Sequence, residues 1–499
     1  MNYFIDADLG KTITGIEQAQ FNRLKLFKKN HIPAKLVYMQ YRSQLHAYME
    51  KFGVKGEGYS MYDYFQRATQ EFSRTFDWQY YWQDVCGYTL QYSDKYNDIR
   101  VLADNEVLLY AGFFDSTYLK VNYISYFDQD HHRVRTDFYD SRGFLSRSQF
   151  LAENGLVHSE FYYDPQENIR IIRQNLVTEK TVYLRNITLK NYHGRDIYLG
   201  SEEELQTFFF NELYQSGDVL YSDRSGNFAK AMEKTAPDVQ MVAVLHSAHV
   251  RPKESVLTGT LKRGVYDYVL THPQHLSGIV CSTKQQRRDL LARFHNLPTV
   301  TAIPVGMVER QRVNIKKRNF HRIVCVARYA QEKQLMHQVK AIERLVPEFP
   351  DVELNLIGSG SAVENEIRQY IAEHHLEKNV LIRGFHQDLS SEYKKSSLFL
   401  QTSVEEGFSL STLEALSYHV PVIGYNINYG PSEMIVDGKN GFLVPADDQE
   451  ALYQKIRQYL KNPKMQKKFM KNCDATIQKF MSTKIQKKWK RLSADLLMK

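Results

Sequence analysis

The spacing of apolar positions divides the chain into stretches with different periods. From about 320 to 460, short apolar runs alternate with segments whose apolar residues recur at helical spacing. Runs at 321–326, 354–357, 380–382, 397–403 and 421–425 predict buried strands, several of which leave through a glycine. After the first run, Leu335, Val339, Ile342 and Val346 line one face of a predicted helix. A second helix is predicted over 409–418, with Ser409 as its cap. This alternation predicts a doubly wound parallel sheet, whose ligands lie at strand ends.

The chain opens in the same way, with a strand at 3–5, a helix at 17–29 and a strand at 34–41. Gly15 stands at the helix entrance, where a small residue lets the backbone approach a ligand. Similar units return at 217–224, 239–245, 279–286 and 300–306. Between about 60 and 200 the period changes to two. Runs at 101–110, 118–127, 133–139, 156–163 and 181–189 are separated by polar turns, which predicts an antiparallel meander. The fold class is therefore α/β, with two Rossmann-like domains facing a cleft and a β-meander inserted in the first. The expected domains are 1–60 with 200–312, the insertion 61–199, and 313–480, with a helix in 481–499 returning to the first.

Composition narrows the class. The chain has 499 residues, 43% of them hydrophobic and 24% charged, as expected of a soluble globular protein. No apolar run is long enough to span a bilayer, and the opening residues do not read as a signal peptide. The four cysteines are scattered, which suits reduced thiols in the cytoplasm. The net charge of +8 is concentrated in lysine-rich C-terminal helices. These read either as solvated faces or as a surface attracted to an acidic partner or the inner membrane face. No motif supports nucleic-acid binding. Eighteen of the 34 tyrosines fall between 59 and 200, either packing the core of the insertion or forming a recognition or oligomer surface.

Candidate chemistry gathers in the C-terminal half. Glu406 and Glu414 stand eight positions apart across a loop-to-helix junction, with Gly407, Phe408, Ser409 and Leu410 between them. The amides of that junction suit an anion or a polar ligand. Arg328 and Lys333 flank a strand-end loop that enters the preceding helix, a cationic setting for a diphosphate. The two glutamates by their spacing alone, or either cation by itself, read as solvated surface charge; the two cations in this frame, and the motifs together, read as a site. His246, at another strand end, faces the predicted cleft. Asp6 and Asp8 do not make a convincing metal site, and no metal is expected.

These motifs, in this order, resemble retaining glycosyltransferases of family four. The insertion narrows the resemblance to bacterial enzymes that modify wall polymers or serine-rich adhesins. Segments 61–69, 137–146 and 243–249 are most similar to enzymes that glycosylate serine–aspartate repeat adhesins. The resemblance implies transfer of N-acetylglucosamine from UDP-N-acetylglucosamine to serine with retention, without a cofactor. It implies that Arg328, Lys333 and the amides after Gly407 hold the diphosphate. Glu406 would hold the sugar, Glu414 the ribose, and His246 the donor sugar or its phosphate. Gly15 and Ile16 would approach the donor, and backbone near Phe385 and His386 would read the base. For an acidic acceptor the candidates are His249, Arg133, Arg135, Arg142 and Arg147, and the insertion is expected to support a homo-oligomer. The rival readings are a wall teichoic acid glycosyltransferase and a non-catalytic partner of the same fold that holds an adhesin.

Overall fold

The computed structural model describes residues 1–93 and 95–497; positions 498 and 499 of the expected returning helix lie outside the described residues. The chain divides into two compact units, Met1–Met241 and Val242–Lys499.

In the first unit the strand Asn2–Asp6 pairs in parallel with Ala34–Tyr38 on one side and Val219–Ser222 on the other. Gly58–Ser60 continues the sheet beyond Ala34–Tyr38. The helix Gly15–Lys29 starts at a capping box, in which Thr14 and Glu17 satisfy each other's backbone amides.

The insertion is a ten-stranded antiparallel sheet in which strands from Thr89–Tyr92 to Arg195–Leu199 follow one another in sequence order. The single run expected at 101–110 is corrected to a hairpin, Asp98–Ala103 and Glu106–Phe113. Asp104 and Asn105 turn it, both with positive φ, as a two-residue hairpin loop requires. Strands Leu145–Leu151 and Ile169–Val177 add to those expected. The tyrosines divide between the two readings. Tyr62 and Tyr162 are buried, whereas Tyr80, Tyr96, Tyr183 and Tyr198 stand exposed. Trp82, Ile99, Val101, Leu109 and Phe113 form a core on part of the sheet.

A buried polar joint fastens the insertion to the parallel sheet. Arg142 donates to Asp63 at 2.6 Å and to Asp140 at 2.8 Å, with a further bond to the Ala68 carbonyl. His46 lies against Asp63 and Glu71 through its two ring nitrogens, at 3.3 and 3.0 Å. His46, Asp63 and Asp140 are near enough to ligate a metal, but Arg142 already supplies the positive charge between the two aspartates.

The strand Met241–Leu245, which starts on the last residue of the first unit, pairs in parallel with Gly278–Cys281, and that strand with Thr299–Ala302. A separate six-stranded parallel sheet holds Arg322–Val326 and Leu398–Gln401 as its central neighbours. Strands Glu353–Ile357 and Val380–Ile382 extend it one way, Val422–Asn426 and Gly441–Pro445 the other. The direction of winding therefore reverses between Arg322–Val326 and Leu398–Gln401. In such a sheet the crevice beyond that reversal is where ligands bind. Ile323, Leu354, Leu356, Leu398 and Leu400 are fully buried beneath it.

Candidate functional site

Two loops leave the carboxyl ends of the strands that flank this reversal. The loop after Arg322–Val326 carries Arg328 and Lys333 and ends at the helix Leu335–Leu345. The loop after Leu398–Gln401 carries Glu405, Glu406 and Gly407 and ends at the helix Leu410–Ser417. The loops are tied together. Val404 N–H donates to the Glu332 carbonyl at 2.8 Å, and Thr402 Oγ1 donates to the Lys333 carbonyl at 2.9 Å. Gln338 Nε2 donates in turn to Thr402 Oγ1 at 2.8 Å, inside the core. Thr402 was not singled out from sequence; a threonine at a strand end carries no local signal of that role.

The result is a charge pair at the crevice. Lys333 Nζ lies 2.7 Å from Glu406 Oε1, and Ser403 Oγ donates to the same oxygen at 2.8 Å. Both charged side chains are mostly buried yet reach the surface, at 17% and 18% exposure. Arg328 is placed differently. It is 66% exposed and pairs with Glu332 at 2.8 Å, four positions away. Gly358 and Gly360, both with positive φ, press on the Arg328 loop, where a methyl would overlap the carbonyls of Ala327 and Tyr329.

Ser409 occupies the N-cap position of Leu410–Ser417 with φ 70°, but its side chain makes no capping bond. Its Oγ meets Thr412 Oγ1 at 2.8 Å instead, which corrects the expected cap. Glu414 faces Tyr393, whose hydroxyl lies 3.3 Å from its Oε2. Burial pushes the Glu414 carboxyl above the ordinary range, and the Tyr393 bond only partly opposes it. Phe408 is buried, and a methyl at Gly306 would overlap its ring.

A third loop adds His246. A methyl at Gly407 would overlap the His246 carbonyl oxygen, so the 405–407 turn lies directly against the end of Met241–Leu245. The amides of His246 and Ser247 both donate to the buried Tyr266 hydroxyl, at 2.8 and 3.1 Å. The loop Asn428–Gly430 packs against the same turn, where a methyl at Gly430 would overlap the Phe408 carbonyl. Glu406 N–H donates to Asn428 at 3.2 Å, and Tyr429 N–H returns to the Glu406 carbonyl. Tyr266 and Tyr429 are further residues that sequence reasoning missed.

Of the other expected residues, His249 has its ring 6.5 Å from that of Tyr429. His249 is fully buried, and its Nε2 meets the Val256 carbonyl at 2.9 Å. Burial holds its pKa below the usual histidine value. Phe385 is exposed on the loop after Val380–Ile382, and His386 Nε2 meets the Arg383 carbonyl at 2.9 Å. Gly15 and Ile16 open the helix of the first unit, and a side chain at Gly15 would meet open space.

The arginines proposed for an acidic acceptor have different placements. Arg133 is exposed. Arg135 is bound to Asp137 at 2.7 Å, and Arg147 to Glu160 at 3.2 Å beneath the rings of Tyr41 and Phe138. Arg142 is 3% exposed inside the polar joint, out of reach of an acceptor on the sheet surface.

The fold is that of the GT-B class of glycosyltransferases: parallel α/β sheets with an antiparallel insertion. It matches the crystal structure of the pneumococcal O-GlcNAc transferase GtfA in complex with UDP and GlcNAc, with a TM-score of 0.85 at 20% identity. That match covers 100% of this chain and 99% of the other. Residues 308–475, which carry Arg328, Lys333, Glu406 and Glu414, match the family model of glycosyl transferases group 1. The chain is 23% identical to the UDP-N-acetylglucosamine–peptide N-acetylglucosaminyltransferase GtfA subunit of Streptococcus pneumoniae serotype 4, across 99% of both proteins. It is also 23% identical to the poly(ribitol-phosphate) alpha-N-acetylglucosaminyltransferase of Staphylococcus aureus, across 96% of both. The resemblance read from the motifs is thus borne out on both of its branches, peptide and wall polymer.

Proposed function

We propose that the protein is a retaining, UDP-sugar-dependent glycosyltransferase that moves N-acetylglucosamine onto serines of serine–aspartate repeat adhesins. The observation that carries this reading is the Lys333–Glu406 pair, 2.7 Å apart where the sheet reverses its winding. A nucleotide sugar offers each member a partner. Lys333 and the exposed Arg328 would take the diphosphate, the amides from Gly407 onward would add donors, and Glu406 would hold the sugar. Glu414 would bind the ribose, His246 the donor sugar, and backbone near Phe385 and His386 the base. Gly15 and Ile16 would line the donor from the first domain, in the three-part organisation expected from sequence.

In the reaction, the bond between the anomeric carbon and the β-phosphate oxygen breaks, and its electron pair stays on UDP. The serine Oγ forms the new bond on the same face, and its proton passes to the departing phosphate oxygen. Charge grows on the phosphate, so fixed cations and amides supply the main catalytic effect. The proposal has no metal in the step.

The relative from pneumococcus is named as a subunit, which supports assembly of this chain with a protein partner or a second copy. The exposed tyrosines of the insertion are the surface proposed for that assembly and for the acceptor. No helix among the described residues is long and apolar enough to cross a membrane, and the proposed setting is the cytoplasm or its membrane face. The experiment offers UDP-glucose, UDP-N-acetylglucosamine and UDP-galactose with either a serine–aspartate peptide or a polyol-phosphate polymer, and weighs the products. N-acetylhexosamine on peptide serines is expected. Transfer to the polyol phosphate alone would assign the wall teichoic acid branch. No transfer to either, with firm adhesin binding, would leave a non-catalytic partner.

A further inference from the structure

The residue before the paired glutamate has its own arrangement. Glu405 Oε1 accepts from Lys262 Nζ at 2.6 Å, and Lys262 also reaches Ser247 Oγ at 3.3 Å. Lys262 is 16% exposed and Glu405 21%, so solvent screens the pair only in part. Lys262 closes a hairpin-like loop, in which Lys262 N–H donates to the His249 carbonyl and Arg251 N–H to the Thr260 carbonyl, both at 3.0 Å. The His246–Ser247 peptide is therefore held from three directions. Tyr266 binds its amides, Gln286 Nε2 binds the Ser247 carbonyl at 2.8 Å, and Lys262 binds the Ser247 side chain. Of these three, Lys262 also grips the loop that carries Glu406. Gly407 leaves no space between the two loops, so a small shift of either is transmitted to the other.

We infer that Lys262 and Glu405 are a positioning pair that sets His246 against Glu406 for sugar transfer. The inference rests on the proposed donor site. Neither residue touches the donor in this account; they act through the separation of two loops. Misplacement of reacting groups by about 1 Å can lower a rate by roughly a hundredfold. The same hairpin makes a second ion pair, Lys253 with Asp447 at 2.5 Å, but its lysine is 64% exposed. An exposed pair of this kind contributes little, which makes Lys253→Met the control.

The test compares Lys262→Met, Glu405→Gln and the exchanged pair Lys262→Glu with Glu405→Lys. Two readouts are taken: UDP release from UDP-N-acetylglucosamine, and hydrogen exchange of the 246–248 amides. Each single variant is expected to lose about tenfold or more in kcat, with KM for the donor within about twofold. Exchange at 246–248 should accelerate, and the swapped pair should recover both readouts. Lys253→Met should change neither. Amide exchange needs no sugar, so it separates the two claims. Accelerated exchange in the single variants, in a protein whose wild type turns over no UDP-sugar, would sink the proposed function and leave the loop clamp standing. Unchanged exchange with kcat within about twofold, or a swap no better than the single variants, would overturn the positioning pair.

Discussion

Replacing Lys333 by Met removes the cation that pairs with Glu406 at the crevice. Two effects follow with different sizes. If Lys333 binds the departing diphosphate, its loss removes a transition-state contact of about 3 kcal/mol. Each ~1.4 kcal/mol is a factor of ten, so kcat should fall about a hundredfold or more. The stability effect is smaller. Breaking a buried ion pair costs about 3–5 kcal/mol, but this pair is partly exposed, and Ser403 continues to hold Glu406. Screening by solvent lowers the expected cost to roughly 1–2 kcal/mol. The protein should therefore stay folded and melt a few degrees lower. Adding Glu406→Gln removes the carboxylate left behind, so the double variant should melt nearer to wild type while remaining inactive. UDP release and thermal melting, measured on the same samples, check both effects. A folded Lys333→Met protein with kcat within threefold of wild type would refute the reasoning.

Gly407→Ala should lower kcat more than tenfold, because its methyl would overlap the His246 carbonyl and force the loops apart; normal turnover would show that their contact is dispensable. Arg142→Ala should destabilise by about 3–5 kcal/mol by stranding Asp63 and Asp140, which chemical denaturation would measure. His46 supplies the pH prediction. Burial works against its imidazolium, but the Asp63 carboxylate outweighs it and raises the pKa above 6.5. Its contribution to stability is then complete below pH 6.5 and lost as pH rises through the folded value. His46→Gln should flatten the alkaline decline of the melting temperature, and an unchanged slope would contradict the assignment. Transfer should survive EDTA; loss of activity restored by manganese would replace Lys333 and Arg328 with a metal in the mechanism.

The alternation that placed Lys333 and Glu406 at neighbouring strand ends was legible because apolar runs in a parallel sheet are continuous and sharply bounded. Their direct pairing was not legible, since it depends on Thr402 and Val404 drawing two loops together over about seventy positions. Lys262 and Glu405, separated by 143 positions, left no local trace at all. Arg142 looked like an acceptor contact because it lies in a polar turn. Its buried partner Asp63 lies 79 positions earlier, beyond the reach of any window of periodicity. The hairpin at 98–113 did leave a sign, the Asp104-Asn105 dipeptide, whose residues accept positive φ and interrupt an otherwise continuous β pattern.

The central claim is that a UDP-sugar binds where the six-stranded sheet reverses its winding. A crystal structure of the protein with UDP tests it most directly. The account predicts the β-phosphate within hydrogen-bond reach of Lys333, Arg328 and the amides after Gly407, with the ribose on Glu414. UDP bound elsewhere, or bound with Lys333 still closed on Glu406 and away from the phosphate, would contradict it.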